Sequence, residues 1–168
     1  MPAPLILTAS LPPDVHALAD RLRRTHFPPE RNFLDAHVTL FHALPPSCCD
    51  ELDEMLARMV RDHCPVPARL EGVMKLGKGT ALQLNSPGML ALRDDIARRF
   101  HGLLTPQDQH RPRLHITVQN KVSIESAKAL RVQLGASIEP RDFAFAGFAL
   151  HLYRGGPWEF VKQWRFRG

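Results

Sequence analysis

The chain of 168 residues has only three cysteines, and two of them, Cys48 and Cys49, are adjacent. An odd count with neighbouring thiols argues against a disulfide framework and suits a reducing compartment, so a cytoplasmic protein is expected. A zinc site built from Cys48, Cys49, His63 and Cys64 is disfavoured as well. A helix over residues 47 to 63 would hold its two ends roughly 24 Å apart, too far for one ion. Long apolar runs are also missing. No stretch approaches the roughly 20 residues needed to span a bilayer. The first apolar run, Leu5-Ile6-Leu7, has no Lys or Arg before it and meets Pro12-Pro13 soon after. Neither a membrane span nor a signal peptide is expected.

What is present is the composition of a globular protein, 44% hydrophobic and 23% charged. A chain this long can bury roughly 70% of the surface it exposes when unfolded, as a single domain or two closely packed lobes. The net charge of +5 is unevenly placed: residues 111–168 hold ten Lys and Arg against four Asp and Glu. That bias suggests an anionic partner met mainly by the C-terminal third.

Two short stretches repeat one pattern: His37-Val38-Thr39-Leu40 and His115-Ile116-Thr117-Val118. On a β-strand, alternation sends the histidine and threonine of each to one face and the aliphatics to the other. Around them the chain reads as a matched series. Leu5–Ser10 is a short buried strand. Pro13 opens a helix with Val15, Leu18, Ala19 and Leu22 on one stripe, and the first motif strand covers about 36–42. A second helix comes next, with Ser47 as its expected N-cap and Leu52, Met55, Leu56, Met59 and Val60 inside. Strands at 66–75 and 79–85 then form a hairpin through Leu76-Gly77-Lys78. The series restarts with a helix over 87–103, carrying Met89, Leu92, Ile96, Phe100 and Leu103 at helical spacing. A polar loop from Thr105 to Pro112 leads into the second motif strand. Ser123 caps a helix to about 136 with Ile124, Ala127, Leu130 and Leu134 inside, and strands at 142–153 and 158–166 close the chain.

Aligned on the histidines, the order helix, motif strand, helix, hairpin occurs twice. The motif histidines lie 78 residues apart and the serines opening the next helices 76. This is an internal duplication at the level of elements. The expected fold is α+β: one bilobal domain over 1–168, with a lobe-level repeat at approximately 13–85 and 87–166. Two antiparallel sheets would flank a central cleft, with helices on the outer faces.

Displacement at a phosphodiester needs a base for the incoming oxygen and an acid for the departing one, on opposite sides of phosphorus. Histidine serves both roles because its ordinary pKa of about 6.5 lets both protonation states coexist near neutrality. Threonine hydroxyls beside the two histidines can donate to the non-bridging oxygens as charge develops. Asp35 is the only acid close in sequence to either histidine, so neither paired carboxylates nor a metal-ligand spacing accompanies the motifs. A metal-free, cofactor-free reaction is expected, on a substrate whose leaving group is already held in place, such as a strained 2',3'-cyclic phosphate.

The repeated His-x-Thr-x motif, in two halves of a chain this size, resembles the 2H phosphoesterase superfamily, which includes 2'-5' RNA ligase-like proteins and RNA 2',3'-cyclic phosphodiesterases. The resemblance covers essentially the whole chain. It implies a bilobal fold about a cleft, no metal, and His37, Thr39, His115 and Thr117 as the catalytic set. It also implies an RNA 3' end or a nucleotide-like phosphodiester as the partner. RNA ligase-like members often follow the motif with an arginine; here the strands continue as Phe41-His42 and Gln119-Asn120. By strand parity Phe41 and Gln119 share the motif faces, and Phe41 is a candidate for stacking a base. Arg113 and Lys121 are candidates for adding positive potential. Tyr153, the only tyrosine, shares a face with His151, and His42, on the opposite face from His37, is expected to be structural. The leading expectation is a hydrolase that opens cyclic phosphates. The alternatives are 2'-5' ligase or 2'-5' phosphodiesterase activity, a binding module that keeps the cleft without turnover, and a His-ligated metalloenzyme.

Overall fold

In the computed structural model, which describes residues 3–168, each motif strand lies at the edge of its own four-stranded antiparallel sheet. The elements are β1 (Leu5–Ser10), α1 (Pro13–His26), β2 (Val38–Leu44), α2 (Cys49–Asp62), β3 (Val66–Leu76), β4 (Gly79–Asn85) and α3 (Pro87–Arg99), then α4 (Pro106–Gln109), β5 (His115–Gln119), α5 (Ile124–Ser137), β6 (Arg141–Phe145), β7 (Gly147–Leu152) and β8 (Glu159–Arg165). The first sheet runs β2-β1-β7-β8 and the second β5-β4-β3-β6. The fold is thus the expected α+β arrangement of two antiparallel sheets. In each sheet the motif strand borders the strand that precedes its helix, β1 for β2 and β4 for β5. Each sheet also draws strands from the other half of the chain: β7 and β8 in the first sheet, β4 and β3 in the second. This exchange makes one core of both sheets, with Leu7, Phe41 and Phe148 in the same buried cluster as Leu70, Leu82, Ile116 and Phe145.

The helices follow the apolar periodicity. Helix α2 buries Leu52, Leu56, Met59 and Val60, and α5 buries Ala127, Leu130 and Leu134 with the Ser123 hydroxyl accepting from the Ser126 amide. Four local expectations need correction. Ser47 does not cap α2, because Pro46 draws it into a 3-10 turn over Pro46–Cys48, and Cys48 precedes the helix with no side-chain cap. Helix α3 stops at Arg99, leaving Leu103 half-exposed, and Ile124 projects outward in the first turn of α5. The single strand expected over 142–153 is two strands in different sheets. The chain changes sheets at Ala146, whose amide donates to the Ser10 carbonyl and whose carbonyl accepts from Phe166. The run from Phe143 to Leu150 stays apolar across that junction because both sheets need buried residues there.

No helix among the described residues is long and apolar enough to cross a membrane. The three cysteines are free: Cys48 buried, Cys49 half-buried and Cys64 exposed.

Gly79 lets β4 approach the second motif strand, since a Cβ there would overlap the Gln119 carbonyl. Gly79→Ala is therefore expected to lower unfolding stability by about 1–3 kcal/mol or more. Gly135→Ala in α5 meets only ordinary contact with Val73 and should be neutral or stabilising by up to about 1 kcal/mol. Urea midpoints at constant m-value check both.

Candidate active site

The four motif side chains keep the alternation read from the sequence. His37, one residue ahead of β2, and Thr39 are half-buried, whereas Ala36, Val38 and Leu40 are buried; His115 and Thr117 alternate with Leu114, Ile116 and Val118 in the same way. Alternation then fails in both strands at the same place. Thr39 pairs with Thr8 but Phe41 pairs with Leu7, so Leu40 is an extra residue on β2. Thr117 pairs with Ala81 but Gln119 pairs with Thr80, so Val118 is an extra residue on β5. Each extra residue is a β-bulge that reverses the parity of the residues beyond it.

Two openings meet three of the four motif residues, and Thr117 lines neither of them. A cleft of about 550 Å³ is lined by Thr39 and His115 with Lys75, Arg111, Arg113 and Asn120. A smaller pocket of about 310 Å³ is lined by His37 with Phe33, Asp35, His151, Trp158 and Phe160. The Trp158 ring packs on His37 with centroids 4.6 Å apart. No three His, Cys, Asp or Glu side chains cluster to hold a metal ion among the described residues.

Because of the bulges, Phe41 and Gln119 are turned away from the motif faces. Phe41 is 0% exposed, lying beneath the Arg93 guanidinium 4.1 Å from its ring centroid, which removes it as a stacking surface. Gln119 is buried and accepts from the Thr80 hydroxyl at 3.3 Å. Of the other candidates, Arg113 is exposed and lines the cleft beside His115. Lys121 is exposed with a left-handed backbone, φ 56°, and lines neither the cleft nor the smaller pocket. Tyr153 falls beyond the end of β7, with its amide on the Pro4 carbonyl, and is likewise outside both. His42, expected on the face opposite His37, lies beyond the bulge and is exposed, and it lines the cleft with Thr39 and His115 while its ring and amide meet Asp108.

The two motif histidines are held alike. Nδ1 of His37 lies 2.8 Å from the Asp35 carbonyl and Nδ1 of His115 lies 2.6 Å from the Arg113 carbonyl, in each case two residues back. A carbonyl can only accept, so Nδ1 carries the proton and Nε2 is left as the free nitrogen of the neutral ring. Their surroundings differ. Burial, reinforced by Arg23 and His115 and only partly offset by the Asp35 carbonyl and carboxylate, pushes His37 down to about 4. Burial also lowers His151, again opposed by Asp35.

Buried charges brace the motif strands, and the sequence reading missed them. Arg23 of α1 donates to the Thr117 carbonyl at 2.7 Å, the Leu34 carbonyl at 3.1 Å and Asn32 Oδ1 at 3.0 Å. Arg93 of α3 donates to the carbonyl of Leu40, the bulged residue, at 3.2 Å and to the Asp108 carbonyl. Burial lowers both guanidinium pKa values while nearby aspartates oppose it. Asp108, in the loop read only as polar, accepts from the His42 and Ala43 amides at 2.8 and 2.9 Å. Burial raises its carboxyl, but these amides and the His42 ring hold it below the ordinary range. A signal for the arginines was present: Arg23 stands four residues past Ala19, and Arg93 four past Met89, each on its helix's buried stripe. An arginine on an apolar stripe requires acceptors inside the fold.

A family model described as the 2'-5' RNA ligase superfamily matches residues 11–157. The fold is similar to TT0787 of Thermus thermophilus, with a TM-score of 0.64, 19% identity and 98% of each chain covered. It is similar to a crystallised phosphoesterase with a TM-score of 0.63, 19% identity and 100% of each chain covered. LigT of E. coli, solved in complex with 3'-AMP, superposes with a TM-score of 0.61 at 18% identity over 100% of each chain. No curated protein matches the sequence.

Arg23→Met would strand three acceptors at once. A loss of about 3 kcal/mol or more is expected, since each buried group left unpaired costs about 1–3 kcal/mol. Arg23→Lys should recover little, because a single ammonium cannot reproduce the guanidinium fork. Chemical denaturation of the two variants against the parent checks both.

Proposed function

The chain belongs to the 2'-5' RNA ligase superfamily, and from that premise we propose that it opens 2',3'-cyclic phosphates at RNA ends or on nucleotide-like molecules, without a metal or other cofactor. The reading is carried by one observation: both motif histidines have Nδ1 tied to a backbone carbonyl, which leaves Nε2 free beside a threonine on the same face. Two imidazoles so fixed suit proton transfer at the two ends of an in-line displacement.

In this proposal His37 is the base. An imidazole pushed down to about 4 is neutral at pH 7 and enters the reaction able to take a proton. Its Nε2 removes a proton from water as the oxygen attacks phosphorus. The bond from phosphorus to one ribose oxygen of the strained ring breaks, and His115 gives that oxygen a proton through Nε2. The product is a phosphate monoester beside a free hydroxyl. Thr39 and Thr117 donate to the non-bridging oxygens, and the Lys75 and Arg113 side chains lining the cleft supply the attraction for an anion. Ligation through a 2'-5' linkage is the same displacement with a ribose hydroxyl in place of water, so a substrate panel decides between hydrolysis and joining.

Turnover of a 2',3'-cyclic mononucleotide and of cyclic-phosphate RNA ends should persist in excess chelator. His37→Ala and His115→Ala should each lower kcat by about 10²–10⁴. Retained nucleotide binding with no turnover by the parent protein would instead mark a binding module, and dependence on added metal would mark a metalloenzyme.

The pH profile follows from the same assignment. The base must be neutral, so kcat/KM should fall on the acid side only as His37 gains its proton, near pH 4 rather than near 6.5. Stopped-assay rates across that range test this, and the low-pH limb should disappear in His37→Ala.

A further inference from the structure

Two residues return to the cleft beyond the bulges. His42 and Asn120 each stand five positions after a motif histidine, and both line the opening with Thr39 and His115. The reversed parity that buries Phe41 and Gln119 brings their neighbours round to it. Asn120 is uncharged, whereas His42 is a further imidazole that the displacement does not use. Its Nδ1 lies 3.3 Å from Asp108 Oδ1, and a carboxylate oxygen can only accept. Nδ1 therefore holds a proton, and Nε2 is left for a ligand. Asp108 is itself anchored: its side chain is 1% exposed, and its two oxygens take the His42 and Ala43 amides at 2.8 and 2.9 Å. Its only ion pair among the described residues is with His42. A ring fixed this way presents, with its second proton, one charged Nε2–H donor.

Positive charge in the cleft also exceeds what one cyclic phosphate needs. That group is a diester with a single negative charge. Thr39 and His115 meet it together with Lys75 and Arg113, which form no ion pair among the described residues. His42 adds to this set from three residues along β2, its Cα roughly 10 Å or less from that of Thr39 on an extended strand. At about 550 Å³ the cleft has room for a substrate that reaches both.

Resting on the cyclic-phosphate reading, we propose that His42, oriented by Asp108, is the centre of a second phosphate subsite in the cleft. Its ligand is a phosphate monoester carried on the same molecule as the reacting cyclic phosphate. The preferred substrate is accordingly one with a terminal phosphate as well as the strained ring, because a neutral end leaves the His42 donor without its anion.

The test compares kcat/KM for 5'-phosphoadenosine 2',3'-cyclic phosphate with that for adenosine 2',3'-cyclic phosphate, which differ only in the second phosphate. The parent protein should prefer the former. His42→Asn keeps a donor for Asp108 without a charge, and it should shrink that preference about tenfold or more, chiefly through KM. His42→Lys, which keeps the charge, should hold most of it. Equal losses on both substrates in His42→Asn would show that the ring only braces Asp108, and an unchanged ratio would show that no phosphate meets it; either result overturns the subsite, as does a parent without preference. If the parent turns over neither substrate, the phosphodiesterase reading fails by itself. Calorimetry then decides the subsite: adenosine 3',5'-bisphosphate binding tighter than 3'-AMP, with the gain lost in His42→Asn, supports it, and equal affinities or a gain that survives the substitution overturn it.

Discussion

Two strand edges that face each other cannot both carry bare amides and carbonyls, and here the crossed arginines cover them. β2 and β5 are edge strands, free to pair with each other or with another chain. Arg23, from the helix before β2, reaches the Thr117 carbonyl of β5; Arg93, from the helix before β5, reaches the Leu40 carbonyl of β2. Asp108 takes two further amides of β2. Each half of the chain thus supplies the donors that the other half's motif strand needs. A guanidinium suits the task because its planar fork serves several carbonyls at once. The edges are held apart as walls, with no strand pairing between β2 and β5.

The bulges complete that division. An extra residue directly after each threonine lets His-x-Thr face outward while the next side chains, Leu40 and Phe41 or Val118 and Gln119, turn into the protein. The same irregularity in both strands gives a duplicated backbone frame. Side chains then break the symmetry, because aromatic rings from the β7–β8 hairpin crowd His37 and basic groups border the cleft at His115. Equal geometry with unequal surroundings is what the proposed base and acid would need, one neutral and one protonated at the start of a displacement.

Most of the fold is legible in the sequence because its elements are locally consistent. The helices carry continuous apolar stripes, and prolines and glycines mark their ends. The departures at the strands and the site share one cause. Strand parity at Phe41 and Gln119 holds only for an unbroken ladder, yet whether a residue is bulged depends on its pairing with β1 or β4. The run over 142–153 reads as one strand because burial in either sheet requires the same apolar residues. Trp158 reads as the start of a strand, and nothing near it in the chain indicates that it packs on His37, 121 positions away.

The sequence by itself determined the duplicated motifs, the alternation that sets each histidine beside a threonine, and the α+β class, since these depend on periodicities of two and 3.6 residues over short spans. Only the tertiary structure decided which strands share a sheet, where the bulges fall and which helix arginine braces which motif. Those outcomes arise from hydrogen bonds and contacts between residues far apart in the chain, such as Arg23 and Thr117, separated by 94 positions. No local pattern encodes such a partner.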